Sequence, residues 1–110
     1  MKFLSRSEEM FLLAIWRLQD NAYGVTIRNN LQEVTGKTWA FGALFITLDR
    51  LVKKGFLISF LTEPTPERGG RSKRIYKLTA EGLGALKEIK KMQEILWDGI
   101  PELSMDKNVK

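Results

Sequence analysis

The chain has 110 residues, a formal net charge of +5 and an ordinary balance of hydrophobic (44%) and charged (28%) residues, which predicts one small soluble domain. It contains neither cysteine nor histidine, which excludes disulfides, thiolate nucleophiles, sulfur-ligated metals and the commonest general base. It has no phosphate-binding glycine loop and no apolar run of membrane length, and charged residues follow Met1 closely. We therefore expect a protein that is not an enzyme, binds no metal or cofactor and does not span a membrane. We expect it to reside in the cytoplasm.

Helical patterns fill the first half of the chain. Ser5, followed three residues later by Glu8, has the spacing of a capping box and predicts a first helix from there to about Gln19. Apolar residues recur with helical spacing in the next two segments and predict a second helix over about 23–36 and a third over about 40–54.

Two strand-like runs follow and enclose a basic turn. The first is predicted over 56–62 and the second over 75–78, and the prolines within 63–66 cannot continue a central ladder because they have no N–H to donate. Thr79 is expected to cap a long final helix that ends at about Asp98. Three helices, a hairpin and a further helix predict a mostly helical α+β fold, the winged helix-turn-helix.

This order predicts the organisation of the whole chain. Residues 1–78 form a winged helix-turn-helix DNA-binding domain, 79–103 form a C-terminal dimerisation helix packed on it as one unit, and 104–110 form a disordered tail. The third helix is expected to lie in the major groove of DNA, and the hairpin, or wing, to reach the flanking backbone or minor groove.

The wing is the most basic part of the chain. Residues 67–79 hold five basic residues and one acid, and so carry +4 of the formal +5. A mobile basic tip around a Gly-Gly turn suits phosphate binding, although a solvated hairpin without a function would have the same composition. The predicted phosphate contacts are Arg68, Arg71, Lys73 and Arg74.

The third helix supplies the candidates for base contacts. An arginine can bond guanine and a threonine methyl group can contact thymine, whereas the alternative is a solvated helix face. The residues predicted on its outer face are Thr38, Phe41, Ala43, Thr47, Arg50 and Lys54. Arg50 can instead contact phosphate or form an ion pair.

The first and last helices carry more apolar surface than one small core can cover. The segment 10–16 is apolar on every face, and the final helix carries an apolar stripe, so we expect a partner helix from a second copy. The alternative is a monomer whose final helix folds back on its own core. The predicted dimerisation residues are Phe11, Ile15, Leu86, Ile89, Met92 and Leu96.

Two tryptophans are candidates for an effector pocket. Trp16 and Trp97 lie on the two helices expected to meet at the dimer interface, where a small hydrophobic or aromatic molecule could bind. Tryptophans more often serve in core or interface packing, and regulation by protein level alone would need no effector. The absence of histidine and the sparse charge on the first helix argue against a metal or a strongly anionic effector.

Several segments resemble the PadR family of bacterial transcriptional regulators. They are Ala22-Tyr23-Gly24-Val25, residues 42–45 and 48–55 in the third helix, and residues 63–71 and 73–82 through the wing. The resemblance covers about residues 8–97 and implies a homodimeric repressor whose last helix pairs with the partner's first helix. Family members respond to phenolic acids or flat hydrophobic drugs, though many have no known effector. Phe45 stands where the family usually has tyrosine, so a hydroxyl group that could bond a DNA phosphate is missing.

The sequence thus favours a DNA-binding transcriptional regulator, with a repressor as the expected form. The competing hypothesis is a winged-helix protein-interaction module that does not bind DNA, because fold alone does not fix function. The basic wing favours the first hypothesis, since an adaptor has no need of it.

Overall fold

The computed structural model describes residues 4–64 and 72–102. Every predicted element is present, and its ends differ from the prediction by one or two residues at most. The elements are α1 (Arg6–Leu18), α2 (Gly24–Thr35), α3 (Phe41–Lys53), β1 (Leu57–Leu61), β2 (Arg74–Leu78) and α4 (Ala80–Trp97), with a 3-10 turn at Gln19–Asn21. The predicted tail 104–110 lies outside the described residues.

Local capping groups set the ends of the helices. The Ser5 hydroxyl accepts a hydrogen bond from the Glu8 N–H at 3.1 Å, and Oε1 of Glu8 accepts one from the Ser5 N–H at 2.8 Å, which completes the predicted capping box. Gly36 ends α2 with a φ of 76°, a conformation that glycine adopts without steric cost. The Thr79 hydroxyl accepts from the Gly82 N–H at 3.0 Å and starts α4.

One hydrophobic core joins all six elements. The exposed members of the apolar run in α1 are Leu13 and Trp16, so this helix is covered by its own chain on most, but not all, of its surface. The buried side chains of the core are Phe11, Leu12, Ala14, Ile15, Ala22, Ile27, Leu31, Trp39, Leu44, Leu48, Leu51, Phe56, Leu57, Tyr76 and Leu86.

The two strands pair antiparallel and are tied back to the helices. Leu57 pairs with Leu78 and Leu61 with Arg74, which sets the register. On the other side of β2, the Tyr76 N–H donates to the Ala22 carbonyl oxygen at 2.9 Å, so the hairpin is bonded to the connection between α1 and α2. The base of the wing therefore has a fixed position relative to the helix-turn-helix.

A single buried carboxylate joins α1 to α3. Glu8 is only 2% exposed, and its Oε2 accepts hydrogen bonds from Arg50 Nε at 3.0 Å and from Lys54 Nζ at 2.8 Å. Burial raises the pKa of Glu8, but hydrogen bonds from Lys54, the Ser5 N–H and Arg50 outweigh it and lower the pKa from 4.5 to about 2. The carboxylate is therefore charged at neutral pH and fully paired.

Helix α4 begins so close to the hairpin that a side chain has no room there. A Cβ atom on Gly82 would lie 2.2 Å from the Phe56 carbonyl oxygen, which is backbone and cannot move aside cheaply. Two residues later, a Cβ atom on Gly84 would meet nothing within 4 Å. A side chain therefore has no room at Gly82, whereas α4 has space for one at Gly84.

We predict that Gly82→Ala destabilises the protein, whereas Gly84→Ala stabilises it. The first substitution forces α4 away from β1 and should cost about 1–3 kcal/mol or more. The second replaces glycine in a helix interior without a clash and should gain about 0.5–1 kcal/mol. Urea unfolding followed by circular dichroism measures both. Equal changes in the two variants would contradict the close approach of α4 to Phe56.

We also predict a loss of stability in acid that depends on Glu8. Because the pKa of Glu8 is about 2 in the folded state and 4.5 in the unfolded chain, its contribution to stability is complete above pH 4.5 and is lost as the pH falls through 2. The difference corresponds to about 3 kcal/mol. The free energy of unfolding of the native protein should fall more steeply over this range than that of Glu8→Gln, in which every other carboxylate is retained. If the free energies of unfolding of the two proteins fall in parallel with pH, Glu8 is not the group responsible for the loss of stability in acid.

Candidate nucleic-acid interface

Helix α3 presents one face to the core and the opposite face to solvent. Its buried residues are Leu44, Thr47, Leu48 and Leu51. Residues spaced by about one helical turn line the solvent face, namely Gly42, Ile46, Asp49 and Lys53. Ile46 is 65% exposed, and a Cβ atom on Gly42 would meet nothing within 4 Å, so the face is open to another molecule.

The structure corrects the predicted outer face of this helix. Thr47 is only 8% exposed, and its hydroxyl donates to the Ala43 carbonyl oxygen at 3.0 Å, so it lies towards the core rather than outside. A threonine that bonds back to the residue four positions earlier satisfies its hydroxyl within its own helix, which allows it to be buried. Thr38, Phe41 and Ala43 are exposed, as predicted. Their contacts with DNA remain predictions.

Two aromatic side chains fix the corner between α2 and α3. The rings of Phe41 and Phe45 stack at 6.2 Å, and the Arg28 guanidinium lies 4.5 Å from the centroid of Phe41. Arg28 Nε also donates to the Trp39 carbonyl oxygen at 2.7 Å. The tip of the Phe45 ring meets the start of α2, since a Cβ atom on Gly24 would lie 2.8 Å from it. The ring of Phe45 therefore serves packing between α2 and α3.

Arg50 is held at the edge of the solvent face. Its side chain is 46% exposed, but its Nε is bonded to Glu8. Glu8 was not predicted as the partner of this residue, and direct contact with DNA stays a prediction. Lys54 completes the same cluster, with its ammonium group 3.1 Å and 2.8 Å from the two oxygens of Glu8.

At the base of the wing, the basic side chains already have partners in the protein. Lys73 Nζ lies 4.1 Å from the centroid of Tyr23, and Arg74 Nη1 donates to the Ser59 hydroxyl at 3.1 Å. The other two predicted phosphate contacts, Arg68 and Arg71, lie outside the described residues. Lys73 and Arg74 thus lie at the end of the hairpin where β2 begins, and their contacts with DNA stay predictions.

Tyr76 is buried in the last strand, β2, and its burial raises the pKa of its hydroxyl. The charge of Asp49 on α3 adds to this effect, and that of Arg74 opposes it.

A groove runs between α1 and α4 on another side of the molecule. Its apolar residues are Leu13, Trp16, Leu83 and Leu86, and its charged and polar residues are Glu9, Lys87, Lys90 and Gln93. Beyond the groove, the last turns of α4 leave large apolar side chains exposed to solvent. They are Met92, Ile95, Leu96, Trp97 and Ile100.

The predicted dimerisation residues therefore divide into two groups. Phe11 and Ile15 are 0% and 1% exposed and belong to the core of their own chain, and Leu86 is also buried there. This corrects their assignment, because a side chain without free surface cannot contact a partner. Ile89 is half-buried, and Met92 and Leu96 are exposed and remain candidates.

The two effector candidates lie apart within one chain. Trp16 lines the groove beside Leu83 and Leu86, near the start of α4. Gln93 Nε2 donates to Glu9 at 3.4 Å, so α4 runs antiparallel to α1 and carries Trp97 past the opposite end of α1. Only a second copy could bring the two indole rings to one site.

Neither a metal site nor a membrane helix is found where the chain is described. Residues 4–64 and 72–102 contain no group of three or more acidic side chains that could hold a metal ion. Over the same residues, no helix has both the length and the apolar character that a membrane crossing demands.

Comparison with known proteins places the chain in one family. It matches the transcriptional regulator PadR-like family over residues 12–88, which is more than half of its length. A search of curated proteins finds no match.

Solved structures share the fold over most of their length. A PadR-like transcription factor from Bacteroides fragilis is 27% identical, with a TM-score of 0.70 and 82% of each chain covered. A PadR family transcription regulator from Clostridium difficile is 25% identical, with a TM-score of 0.66, and covers 81% of this chain and 88% of its own. A PadR-like regulator from Bacillus cereus, 21% identical with a TM-score of 0.67 and 82% of each chain covered, shows the same fold.

The matched residues run from α1 into α4 and include the helix-turn-helix, the wing and the buried contacts that join them. The chain belongs to the PadR-like family of transcriptional regulators, which bind DNA and are not enzymes.

Proposed function

We propose that this protein is a homodimeric repressor in the cytoplasm that binds a pseudo-palindromic DNA operator through α3 and the wing. The observation that carries the proposal is the solvent face of α3, where Ile46 is 65% exposed between Gly42 and Asp49, with Lys53 one turn further along the helix. A large apolar side chain at the centre of an open helix face has no role in the core. It is suited to contact the methyl group of thymine in the major groove.

The surroundings of this face suit a DNA duplex. Gly42 lets the backbone of α3 approach another surface closely, and Lys53 on the same face can contact a phosphate. Lys73 and Arg74 on the wing supply further positive charge for the duplex. Phosphate contacts of this kind position the protein, and the α3 side chains then select the sequence.

A second copy is proposed to bind along α1 and α4. Leu13 and Trp16 leave an apolar strip open on α1, and Leu96 and Trp97 do so at the end of α4. The antiparallel arrangement within one chain allows the end of α4 to cover the partner's α1. Two-fold symmetry then presents two α3 helices to one side of the duplex, about one DNA turn or a multiple apart.

A small hydrophobic or aromatic effector, if the protein has one, is proposed to bind in the α1–α4 groove. The groove offers Trp16 together with Leu13, Leu83 and Leu86, which suit a flat apolar molecule. Such a molecule can change operator affinity only by its differential affinity for two arrangements of the dimer.

Selection from a pool of random duplexes tests the proposed function. We predict that the protein at physiological salt enriches an inverted repeat whose half-sites lie about one helical turn or a multiple apart. We further predict that replacing the contacted thymine by uracil, which lacks only the methyl group, weakens binding. The loss should be about 0.8 kcal/mol, the value of one buried methyl-sized group.

The variant Ile46→Ala is the control for this contact. It should bind the thymine and uracil operators equally, because the side chain that contacts the methyl group has been shortened. Enrichment of no sequence would overturn the repressor proposal and favour a protein-interaction module. An Ile46→Ala protein that still distinguishes thymine from uracil would remove Ile46 from the interface.

The proposed dimer interface at the end of α4 leads to a separate prediction for Leu96. Leu96→Asp places a charge in an apolar contact and should shift the protein from twice its 12.7 kDa mass to a monomer in sedimentation at micromolar concentration. Val34→Asp is a matched control, because Val34 is equally exposed in the last turn of another helix. Dimers of both variants, or monomers of both, would contradict an interface at the end of α4.

A further inference from the structure

Glu8 connects the helix proposed to bind the partner with the helix proposed to bind DNA. Its carboxylate lies at the start of α1 and accepts hydrogen bonds from the Ser5 N–H, Arg50 and Lys54. Both oxygens are used: Oε1 bonds Ser5 and Lys54, and Oε2 bonds Arg50 and Lys54. At 2% exposure, the group is almost wholly shielded from water.

We propose that Glu8 is a positioning residue for operator binding, which sets the rotation of α3 relative to α1. The proposal rests on the proposed function and names a residue outside the DNA-contacting surface. Arg50 and Lys54 lie four residues apart on successive turns of α3, so one carboxylate fixes two points along that helix. Any rotation of α3 about its axis would break at least one of these bonds.

The same contacts decide which cations are available to DNA. The side chains of Arg50 and Lys54 are 46% and 32% exposed and lie at the edge of the solvent face. While Glu8 holds them, they point towards α1 rather than towards a phosphate. Lys53, one position away from Lys54, belongs to the open face instead.

A role in stability alone would have different consequences. If Glu8 only stabilised the fold, its replacement would lower the fraction of folded protein without changing how the folded molecules rank DNA sequences. If Glu8 positions α3, its replacement changes that ranking and releases positive charge. The ratio of operator to non-operator affinity and the salt dependence of binding separate these cases.

The test compares Glu8→Gln with Glu88→Gln, both measured on folded protein verified by circular dichroism. Glu88 is an exposed acid on α4 that does not line the α1–α4 groove, and its substitution matches the change in net charge. The probes are the selected operator and a scrambled duplex of equal length.

For Glu8→Gln we expect the ratio of operator to scrambled-duplex affinity to fall at least about tenfold. We expect the log–log salt slope on scrambled DNA to steepen by about 0.9 for each cation that reaches a phosphate. Glu88→Gln should change neither.

The outcomes distinguish this proposal from the proposed function. If the native protein does not prefer the operator to scrambled DNA, the proposed function fails and the role of Glu8 fails with it. If the native protein shows the preference and Glu8→Gln keeps it with an unchanged salt slope, only the role of Glu8 is overturned.

A second pair of variants applies where Glu8→Gln does not fold. Arg50→Gln and Lys53→Gln remove the same charge from neighbouring exposed positions of α3. Arg50→Gln should lower the affinity ratio without changing the salt slope, because its guanidinium bonds Glu8. Lys53→Gln should reduce the slope by about 0.9, because it contacts a phosphate. A reduced slope in Arg50→Gln would show that Arg50 binds phosphate directly and would overturn the proposal.

Discussion

Glu8 lies where α1 and α3 meet, and its carboxylate bonds the backbone of one helix and two cations of the other. Removing one partner from such a buried group is costly because the remaining charge would be left without compensation. The arrangement therefore restricts how α3 can turn. Through α1 it also relates α3 to the apolar strip of Leu13 and Trp16, where a second copy is proposed to bind. Stability and the presentation of the DNA-binding face thus depend on the same carboxylate.

The fold could be predicted closely because its signals are local. The capping box at Ser5, Gly36 after α2 and Thr79 before α4 act on neighbouring backbone groups, so their effects are visible in the sequence. The rotation of α3 was harder to predict. Thr47 was placed on the outer face but is buried, and Ile46, which is exposed there, was not among the candidates. The first bonds its own helix, and the second is left exposed on an open face.

Contacts between distant parts of the chain were not visible in the sequence. The excess apolar surface of the first and last helices was predicted, but its location only in part. Met92 and Leu96 on α4 are exposed, whereas Phe11 and Ile15 fill the core and Leu13 and Trp16 are the exposed residues of α1. The link from Glu8 to α3 and the close approach of Gly82 to Phe56 depend on tertiary packing. In the sequence, the close approach of Gly82 to Phe56 is marked only by a glycine inside a helix. Gly84 is also a glycine inside the same helix, yet it has no such contact.

The central claim is that the dimer presents two α3 helices at a fixed separation that matches DNA. The chain has no cysteine, so Lys53→Cys on the solvent face of α3 provides one unique site for a spin label in each protomer. Pulsed electron paramagnetic resonance of the labelled protein should give one narrow distance distribution near the helical repeat of B-DNA, about 34 Å or a multiple. The peak should keep its position when the selected operator is added. Absence of dipolar coupling, or a broad distribution that the operator does not narrow, would contradict the account.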